Sequence, residues 1–367
     1  MRLLICAGGT GGGVYPALAV VQERDKNHSD AILWVGSEKG MEYSLVKHAG
    51  LEFRGIAAAG IHGVGWKKLP KNIASLVRGF FDSRRILKDF KPDVLFFTGG
   101  YIGIPMAFAG IHIPQLIFIP DIEPGLSLKV LARLADTIAV VCDDSKKYLP
   151  SHKKIVVTGY PTRAELRKWT KENARNLFGL SDLKPVLFIF GGSRGARSIN
   201  QAVANHIHEL LNLCQIIHIT GQSDWDYVCK VREHLDPAEA KDYHINPYLH
   251  EEMGAAFAAA DLVISRAGAS TLGEFPLFGL PAILVPYPYA WRYQKVNADY
   301  LAEKGAAIII EDTMLDKEIV GTVGDLMQNR DKLAEMKKAM SSLAIPDAAK
   351  NIAVLLEELA ISESEQS

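Results

Sequence analysis

The chain has 367 residues, of which 48% are hydrophobic and 23% charged. This composition excludes a disordered or fibrous chain, and at roughly 150 residues per domain the length predicts about two domains. The formal net charge of −1 gives no overall attraction to nucleic acid. Residues 1–165 carry 21 basic and 15 acidic side chains, a net of +6, whereas the remainder carries 20 and 27, a net of −7. This asymmetry indicates a membrane or polyanion contact on the first half, or only an uneven solvated surface.

Short apolar runs alternate with longer amphipathic stretches along the chain, which predicts parallel strands connected by helices. Helices cover both faces of such sheets, so the predicted fold class is α/β with doubly wound sheets. The predicted strands of the first half are residues 3–7, 31–35, 94–98, 115–119, 137–141 and 155–158. Those of the second half are residues 185–190, 216–220, 244–246, 262–265, 282–285 and 307–310.

The cysteines and the apolar stretches narrow the class of protein further. Cys6, Cys142, Cys214 and Cys229 form no C-x-x-C pair, which is typical of a reduced cytosolic protein without a disulfide framework or zinc site. Gly, Pro, His and Gln interrupt the longest apolar stretch, residues 102–119. The sequence therefore predicts no membrane-spanning helix, but surface attachment stays open.

One glycine-rich pattern, G-G-[ST]-x-G, occurs twice, each time between a predicted strand and a predicted helix. The first copy is Gly8-Gly9-Thr10-Gly11-Gly12, and the second is Gly191-Gly192-Ser193-Arg194-Gly195. This repeat predicts two doubly wound domains that each open with a glycine-rich turn, with a linker near residues 159–162. The predicted domains are residues 1–160, residues 161–345, and a C-terminal helix with a polar tail, residues 346–367, that packs back toward the first domain.

A glycine-rich turn of this kind exposes backbone N–H groups at the positive end of a helix, which suits a phosphate or diphosphate. A single such turn is often only a tight connection, but two in equivalent places favour ligand binding. The sequence contains no G-x-x-x-x-G-K-[ST], which excludes a Walker-type NTPase. Residues 8–13 lack G-x-G-x-x-G, and Gly36 and Ser37 precede Glu38 after the second strand, which argues against a nicotinamide cofactor.

Residues 265–274 form the densest motif of the second half, a predicted strand end followed by a small-residue turn and a helix start. Ser270 and Thr271 are predicted to cap this helix, and the N–H groups of the turn can hold a diphosphate. Glu274 can accept two hydrogen bonds from a ribose diol, or it is only an acid favoured by the helix dipole. Asp224-Trp225-Asp226 matches the D-x-D pattern of metal-dependent sugar transferases, but a capping role is the favoured interpretation.

Several motifs in the same order resemble the MurG family of N-acetylglucosaminyltransferases over essentially the whole chain. They are Gly8-Gly9-Thr10-Gly11-Gly12-Gly13-Val14-Tyr15-Pro16-Ala17-Leu18-Ala19, Thr98-Gly99-Gly100-Tyr101, Gly191-Gly192-Ser193-Arg194-Gly195-Ala196-Arg197, residues 265–274 and residues 294–298. The resemblance implies the GT-B fold, in which two Rossmann-like domains face each other across a cleft. It also implies an inverting transfer of GlcNAc from UDP-GlcNAc to the muramoyl 4-hydroxyl of a polyprenyl-diphosphate-linked muramoyl-peptide acceptor, which converts lipid I to lipid II in peptidoglycan synthesis. The resemblance further implies that the reaction needs no cofactor and no metal, and that the enzyme is peripheral on the cytoplasmic face of the cell membrane.

The resemblance further implies which residues bind the substrates. Backbone groups near Leu249 would meet uracil, Glu274 would bind the ribose hydroxyls, and Arg163 would add positive charge at the diphosphate of the leaving UDP. Gln294, with Tyr293 in place of the family's usual first glutamine, would contact the GlcNAc hydroxyls. Ser193 and the turn of Ala269, Ser270 and Thr271 would hold the diphosphate. The reacting sugar and the acceptor would face Thr10, Gly11 and Gly12, and the other implied substrate-binding residues are Gly13, Tyr101 and Leu272.

The acceptor side departs from the family pattern. Gly13 stands where the family usually has histidine, Phe118-Ile119-Pro120-Asp121 replaces H-E-x-N, and Leu128 replaces a downstream asparagine. An inverting transfer still needs a base for the acceptor hydroxyl. We assign Asp121 as that base, with Glu123 as the neighbouring candidate and His62 as a distant second. Alternatively, both acids are only turn residues and His62 is a solvated loop residue.

Much of the basic excess lies in residues 64–91, where basic and apolar side chains alternate. Such a segment predicts contact with an anionic membrane surface. Alternatively, Ile73, Val77 and Phe80 pack in the core and the basic face is solvated. The basic residues are Lys67, Lys68, Lys71, Arg78, Arg84, Arg85, Lys88 and Lys91, and the other apolar residues are Trp66, Leu69, Leu76 and Phe81.

Two other function classes stay open at this point. The same fold serves UDP-GlcNAc 2-epimerases and transferases with other acceptors. A non-catalytic UDP-sugar-binding relative is also compatible with the replaced histidine and asparagines. No nucleic-acid partner is expected.

Overall fold

A computed structural model describes residues 1–8, 11–25, 30–37, 40–57, 69–192, 194–288 and 293–364. The chain divides into two compact units. The first unit comprises Met1–Arg163 and Ile345–Ser367, and the second comprises Ala164–Ala344. No helix in the described part of the chain has the length and apolarity needed to cross a membrane.

The first unit is built on a parallel sheet. Its strands, within the described residues, are β1 (Arg2–Cys6), β2 (Ala31–Gly36), β3 (Glu52–Gly55), β4 (Val94–Phe97), β5 (Gln115–Ile119), β6 (Thr137–Val140) and β7 (Lys154–Val157). Their order across the sheet is β3-β2-β1-β4-β5-β6-β7. The helices between them are α1 (Gly11–Asp25), α2 (Met41–His48), α3 (Leu69–Phe90), α4 (Gly103–Ala109) and α5 (Leu126–Leu134). Every residue of β4 and β5 is buried, because helices cover both faces of the sheet.

The second unit is built on a second parallel sheet, in the order β10-β9-β8-β11-β12-β13. Its strands, within the described residues, are β8 (Val186–Phe190), β9 (Gln215–Ile219), β10 (Tyr243–Asn246), β11 (Leu262–Ser265), β12 (Ala282–Leu284) and β13 (Ala307–Ile309). Its helices are α6 (Lys171–Phe178), α7 (Arg197–Asn205), α8 (Ile207–Leu213), α9 (Trp225–Glu233), α10 (Pro237–Asp242), α11 (Met253–Ala259), α12 (Thr271–Phe278), α13 (Tyr293–Glu303), α14 (Leu315–Gln328) and α15 (Arg330–Ser342).

The last helix, α16 (Ala348–Ser364), belongs to the first unit and packs against α1. The buried Arg24 of α1 donates hydrogen bonds to the Ala353 carbonyl at 3.2 Å and to Glu357 at 2.9 Å. The first unit is therefore made of two segments of the chain.

The predicted fold class is confirmed, since both sheets are parallel and doubly wound. Each predicted strand is present, with ends within one residue of the predicted ones. One strand was missing from the prediction, the edge strand β3, in which only Phe53 is strongly apolar and every residue is at least partly exposed. A short, partly solvated strand carries too few apolar residues to stand out in the sequence.

The strand order of each sheet reverses beside the strand that precedes a glycine-rich turn. β1 lies between β2 and β4, and β8 lies between β9 and β11. Connections that leave neighbouring strands in opposite directions open a crevice at the carboxyl end of the sheet, where doubly wound proteins bind ligands. The fold therefore puts both glycine-rich turns at positions suited to a binding site.

Candidate functional site

The first glycine-rich turn leads directly into α1, whose first turn is formed by residues 11–13. Gly8, at the end of β1, is packed against the side chain of Glu42, and a Cβ at Gly8 would lie 2.6 Å from Glu42 Oε1. Glu42 is 1% exposed, and its Oε1 accepts a hydrogen bond from the backbone N–H of Ser37 at 3.0 Å. The described part of this turn thus presents a helix N-terminus at the point where the strand order reverses.

The connection after β4 closes against the first turn. Thr98 Oγ1 donates to the Gly13 carbonyl at 2.5 Å. Gly100 has φ +84, and a Cβ there would lie 3.0 Å from the Gly8 carbonyl oxygen, so this left-handed position favours glycine. A Cβ at Gly13 would lie 3.3 Å from the Thr98 carbonyl oxygen, a tight contact that a shift of a few tenths of an ångström relieves. Tyr101, the last residue of the motif, is 40% exposed.

Two residues near the end of the first segment reach the start of α1. Tyr160 donates from its hydroxyl to the Gly12 carbonyl at 3.3 Å. The guanidinium carbon of Arg163 lies 4.7 Å from the centre of the Tyr15 ring, a cation–π contact. The structure therefore places the positive charge of Arg163 beside the first glycine-rich turn.

The candidate bases follow β5, the neighbour of β4 in the sheet. Glu123 is 4% exposed and accepts a hydrogen bond from Lys129 Nζ at 3.2 Å. Asp121 is half-buried and so is the more accessible of the two acids. Leu128, at the position of a family asparagine, is buried in the apolar core of the first unit. Asp121 is therefore the more exposed of the two candidate acids in this connection.

The second glycine-rich turn has a different backbone from the first. Its Gly195 has φ +77, and its N–H donates to the Gly192 carbonyl at 2.9 Å before α7 begins. A Cβ at Gly195 would lie 2.2 Å from the Thr220 carbonyl oxygen. Both the conformation and the space at this position require glycine. The turn therefore rests directly on the connection that follows β9.

A buried polar network holds that connection in place. Asn200 Nδ2 donates to the Thr220 carbonyl at 2.8 Å and to Asp224 Oδ2 at 2.9 Å, so Asn200 Oδ1 is the acceptor for His218 Nε2 at 3.0 Å. His218 Nδ1 in turn accepts from the Tyr243 hydroxyl at 2.8 Å. Burial lowers the pKa of His218 to about 3, so the imidazole is neutral at physiological pH. The predicted capping role of Asp224 is wrong, because its side chain bonds to Asn200 and makes no cap bond to α9.

The turn after β11 leads into α12 through a compact series of backbone bonds. Thr271 Oγ1 donates to the Gly268 carbonyl at 2.7 Å, and the backbone N–H of Glu274 donates to the Ser270 carbonyl at 2.8 Å. The predicted cap by Ser270 is wrong, since its side chain makes no cap hydrogen bond. The hydroxyl of Thr271 likewise fixes the turn instead of capping the helix. Ala269, Ser270 and Glu274 are half-buried, and Thr271 and Leu272 are buried.

The start of α13 carries the residues expected to meet the donor sugar. Gln294 Oε1 accepts a hydrogen bond from the backbone N–H of Tyr287 at 2.9 Å, which orients its amide group. The amide nitrogen is then the end that can donate to a sugar hydroxyl. Tyr293 is half-buried at the first position of the helix.

A groove of about 850 Å³ runs along β10 in the second unit. Of its lining residues, only Leu249 was predicted to bind substrate, although the aromatic and histidine residues around β10 are a further sequence signal. The Nε2 atom of His244 is buried there without a hydrogen-bond partner in the described part of the chain, and burial lowers the pKa of this histidine. Residues that line the groove include Trp225, Arg232, His244, Tyr248, Leu249 and His250.

Some predicted residues lie outside the described ranges. These are Thr10, His62 and Ser193 among the site residues, and Trp66, Lys67 and Lys68 in the basic segment. Conversely, Glu42 and His218 support the glycine-rich turns without belonging to any local motif, and Arg266 lies within the motif of residues 265–274 but had no predicted role.

The cysteines are free thiols, and burial raises the pKa of Cys214 to about 12. In the chain segments with described coordinates, no three His, Cys, Asp or Glu side chains are grouped to hold a metal ion.

One face of α3 exposes apolar side chains at intervals of four residues. Ile73, Val77 and Phe81 are 48%, 53% and 62% exposed, and we call them the α3 apolar stripe. The alternative that Ile73 and Val77 pack in the core is therefore wrong. Phe80 is half-buried, and the exposed basic residues on the same helix are Arg78, Arg84, Arg85 and Lys88.

Comparison with known families matches both halves of the chain. The glycosyltransferase family 28 N-terminal domain matches residues 3–140, and the glycosyltransferase family 28 C-terminal domain matches residues 186–352. The chain is 37% identical over 370 residues to the UDP-N-acetylglucosamine–N-acetylmuramyl-(pentapeptide) pyrophosphoryl-undecaprenol N-acetylglucosamine transferase of Desulforamulus reducens, covering 98% of this chain and 99% of that protein.

Two solved structures are similar over nearly their whole length. The crystal structure of MurG from Acinetobacter baumannii has a TM-score of 0.76 and 27% identity, and covers 97% of this chain and 99% of that one. The UDP-GlcNAc 2-epimerase of Neisseria meningitidis, bound to UDP-GlcNAc, has a TM-score of 0.68 over 97% of this chain and 100% of that one. At 15% identity, the epimerase is similar in fold alone.

Proposed function

The chain belongs to the MurG family of glycosyltransferase family 28, and from this membership we propose that it transfers GlcNAc from UDP-GlcNAc to lipid I, giving lipid II for peptidoglycan synthesis. The observation that carries the proposal is the 37% identity to a transferase of this reaction across 98% of the chain. The position of the two turns at the strand-order reversals supports the proposal, because a glycine-rich turn before a helix suits a phosphate group.

The second unit binds the donor in this proposal. The N–H groups of the second glycine-rich turn, where Ser193 lies, and of the turn at residues 268–271 hold the diphosphate. Glu274 accepts hydrogen bonds from the ribose diol, and the amide nitrogen of Gln294 donates to a GlcNAc hydroxyl. The groove beside Leu249 takes the uracil, and its volume of about 850 Å³ lies within the usual range for small-ligand sites.

The first unit binds the acceptor and supplies the base. Asp121 takes the proton from the muramoyl 4-hydroxyl as this oxygen attacks the anomeric carbon, and the bond between that carbon and the UDP oxygen breaks. UDP leaves with its negative charge, which helix N-termini and Arg163 stabilise without a metal ion. Attack from the face opposite UDP inverts the anomeric configuration.

The α3 apolar stripe and the basic residues of the same helix rest on the cytoplasmic face of the membrane, where the lipid-linked acceptor lies. Exposed apolar side chains enter the boundary between headgroups and acyl chains, while arginine and lysine attract anionic lipids. This contact is peripheral and brings the acceptor-binding unit to its substrate.

The transfer is tested by measuring UDP release from UDP-GlcNAc in the presence of EDTA, with and without a lipid I analogue. We expect release only with the acceptor, and a donor KM raised about tenfold or more in Glu274→Ala, because two hydrogen bonds to the ribose are lost. A matched control is Glu358→Ala, an exposed acid of α16 that pairs with Lys154. Conversion of UDP-GlcNAc alone to its manno epimer, detected by NMR, would establish the epimerase instead.

Membrane contact is tested by sedimentation with vesicles of phosphatidylglycerol and phosphatidylcholine. We expect binding to the anionic vesicles that weakens about tenfold in Val77→Ser/Phe81→Ser, because burial of two apolar side chains is lost. Leu183→Ser, at an exposed leucine outside α3, is the matched control. Equal binding of the wild type, the double variant and Leu183→Ser would show that the α3 apolar stripe does not contact the membrane.

A further inference from the structure

Arg266 directly follows β11 at the carboxyl edge of the second sheet. Its side chain contacts the segments that follow β8, β12 and β13. Its Nη2 donates to Ser198 Oγ at 2.8 Å, and its Nη1 donates to the Val285 carbonyl at 3.0 Å. Nη1 also lies 2.6 Å from Asp312 Oδ1. Ser198 is in α7, Val285 follows β12 and Asp312 lies beyond β13, so one side chain reaches all of these segments.

The contacts of Arg266 form a closed and largely buried arrangement. Ser198 Oγ donates to Asp312 Oδ1 at 2.6 Å, which completes a triangle of arginine, serine and aspartate. The side chain of Arg266 is 10% exposed. A guanidinium is a planar fork that holds several acceptors in fixed directions. Because both Nη groups already donate to protein oxygens, Arg266 is suited to hold the frame of the site.

The same guanidinium also reaches the residues that orient Gln294. Its carbon lies 5.3 Å from the centre of the Tyr287 ring. The backbone N–H of Tyr287 donates to Gln294 Oε1. On the other side, Ser198 lies in the first turn of α7, just beyond Gly195 of the second glycine-rich turn. Arg266 therefore contacts both the element next to the diphosphate turn and the element that orients Gln294.

We propose that Arg266 is a positioning residue for donor-sugar selectivity. Through Ser198 and Tyr287 it fixes the distance between the second glycine-rich turn and Gln294. The diphosphate and the hexosamine of the donor are then held at a fixed spacing. This rests on the proposed function, in which the turn holds the diphosphate and Gln294 contacts the sugar. The single ammonium group of lysine cannot make all the hydrogen bonds of the planar guanidinium. Lysine at this position therefore keeps the charge but does not fix the spacing.

The test compares kcat/KM for UDP-GlcNAc with that for its 4-epimer UDP-GalNAc in Arg266→Lys, with the lipid I analogue as acceptor. We expect the selectivity ratio to fall about tenfold, while the Kd of UDP, measured by calorimetry, changes less than about threefold. Gln294→Ala should lower the ratio by a similar factor. The double variant should lose no more selectivity than Gln294→Ala alone, because both changes act on one contact.

A matched control is Arg175→Lys. Arg175 is 6% exposed and donates to Asp261 at 2.8 Å, at the amino end of the same sheet. This variant should lower the Tm and leave the selectivity ratio unchanged, which separates positioning from general stability.

Unchanged selectivity in Arg266→Lys or in Gln294→Ala, or fully additive losses in the double variant, would overturn the inference. If Arg266→Lys does not fold, Ser198→Ala is the deciding variant. We expect its selectivity ratio to fall about threefold, and an unchanged ratio would overturn the inference. Absence of transfer by the wild-type chain would instead overturn the proposed function.

Discussion

The two glycine-rich turns share the pattern G-G-[ST]-x-G but differ in backbone and support. In the first, residues 11–13 already belong to α1, and the left-handed glycines lie in the connection after β4, at Gly99 and Gly100. In the second, the left-handed residues are Gly192 and Gly195 within the turn itself, and α7 begins after it. Among the described residues, Gly11 and Gly12 of the first turn thus already belong to a helix, whereas Gly192 and Gly195 of the second precede theirs.

Their supports differ as well. Gly8 of the first turn packs against the side chain of Glu42, while Gly195 of the second rests on Thr220, which is held by Asn200 and, through it, by His218. The same short pattern therefore serves two kinds of site. We expect changes around the first turn to affect turnover and changes around the second to affect donor affinity.

The largest expected effect concerns Asp121, which lies in the same unit as the first turn. Asp121→Asn should lower kcat by about 100-fold or more, because the amide cannot take the proton of the acceptor hydroxyl. The Kd of UDP should stay the same, as measured by calorimetry beside single-turnover kinetics. Asp143→Asn, at an exposed aspartate that pairs with Lys146, is the matched control. A greater loss of turnover in Glu123→Gln would move the role of base to Glu123.

The second prediction separates the two turns directly. Gly195→Ala should raise the donor KM about 30-fold, because a Cβ would lie 2.2 Å from the Thr220 carbonyl oxygen in a left-handed backbone. Gly13→Ala should change it less than about threefold, because its contact of 3.3 Å in a helical backbone can relax.

Gly179→Ala is the control for backbone strain alone. Gly179 has φ +64 at the end of α6, with no heavy atom within 4 Å of an added Cβ. It should cost about 1 kcal/mol of unfolding free energy and leave the donor KM unchanged. Equal donor KM values in Gly195→Ala and Gly13→Ala would remove the distinction between the turns.

The smallest expected effect concerns His218, which supports the second turn through Asn200. The pKa of His218 is lowered from 6.5 to about 3, so between these values the unfolded chain binds a proton that the folded chain does not. Stability should therefore fall as the pH drops below about 6.5, by up to about 1.4 kcal/mol per pH unit. His218→Gln should show a shallower slope in urea unfolding at pH 7, 6 and 5. Exposed His152→Gln should keep the wild-type slope, and a wild-type slope in His218→Gln would contradict the prediction.

The sequence predicted most of the fold because buried parallel strands are continuous apolar runs. The exception, β3, is a partly exposed edge strand. The sequence also placed the glycine-rich turns, since a turn and its neighbouring strand and helix are local. It did not predict where the first helix begins, because glycine is a poor helix former and the helix was expected after the glycines, whereas α1 begins at Gly11.

Contacts between residues that are far apart in the sequence were not predicted, for a different reason. Arg266 and Ser198 are 68 positions apart, and His218 and Tyr243 are 25 apart. Neither pair forms a local pattern, and each residue alone is as compatible with a solvated surface or an ordinary core as with a site. Only the sheet order, which brings β8 beside β9 and β11, makes them neighbours.

The return of α16 to the first unit has a consequence for synthesis on the ribosome. The second unit, Ala164–Ala344, is one uninterrupted segment, whereas the first needs Ile345–Ser367 to become complete. During translation the second unit can therefore reach its native state before the first does. Until α16 emerges, Arg24 lacks Glu357 and the Ala353 carbonyl. The nascent first unit thus carries an uncovered face of α1 until α16 is made.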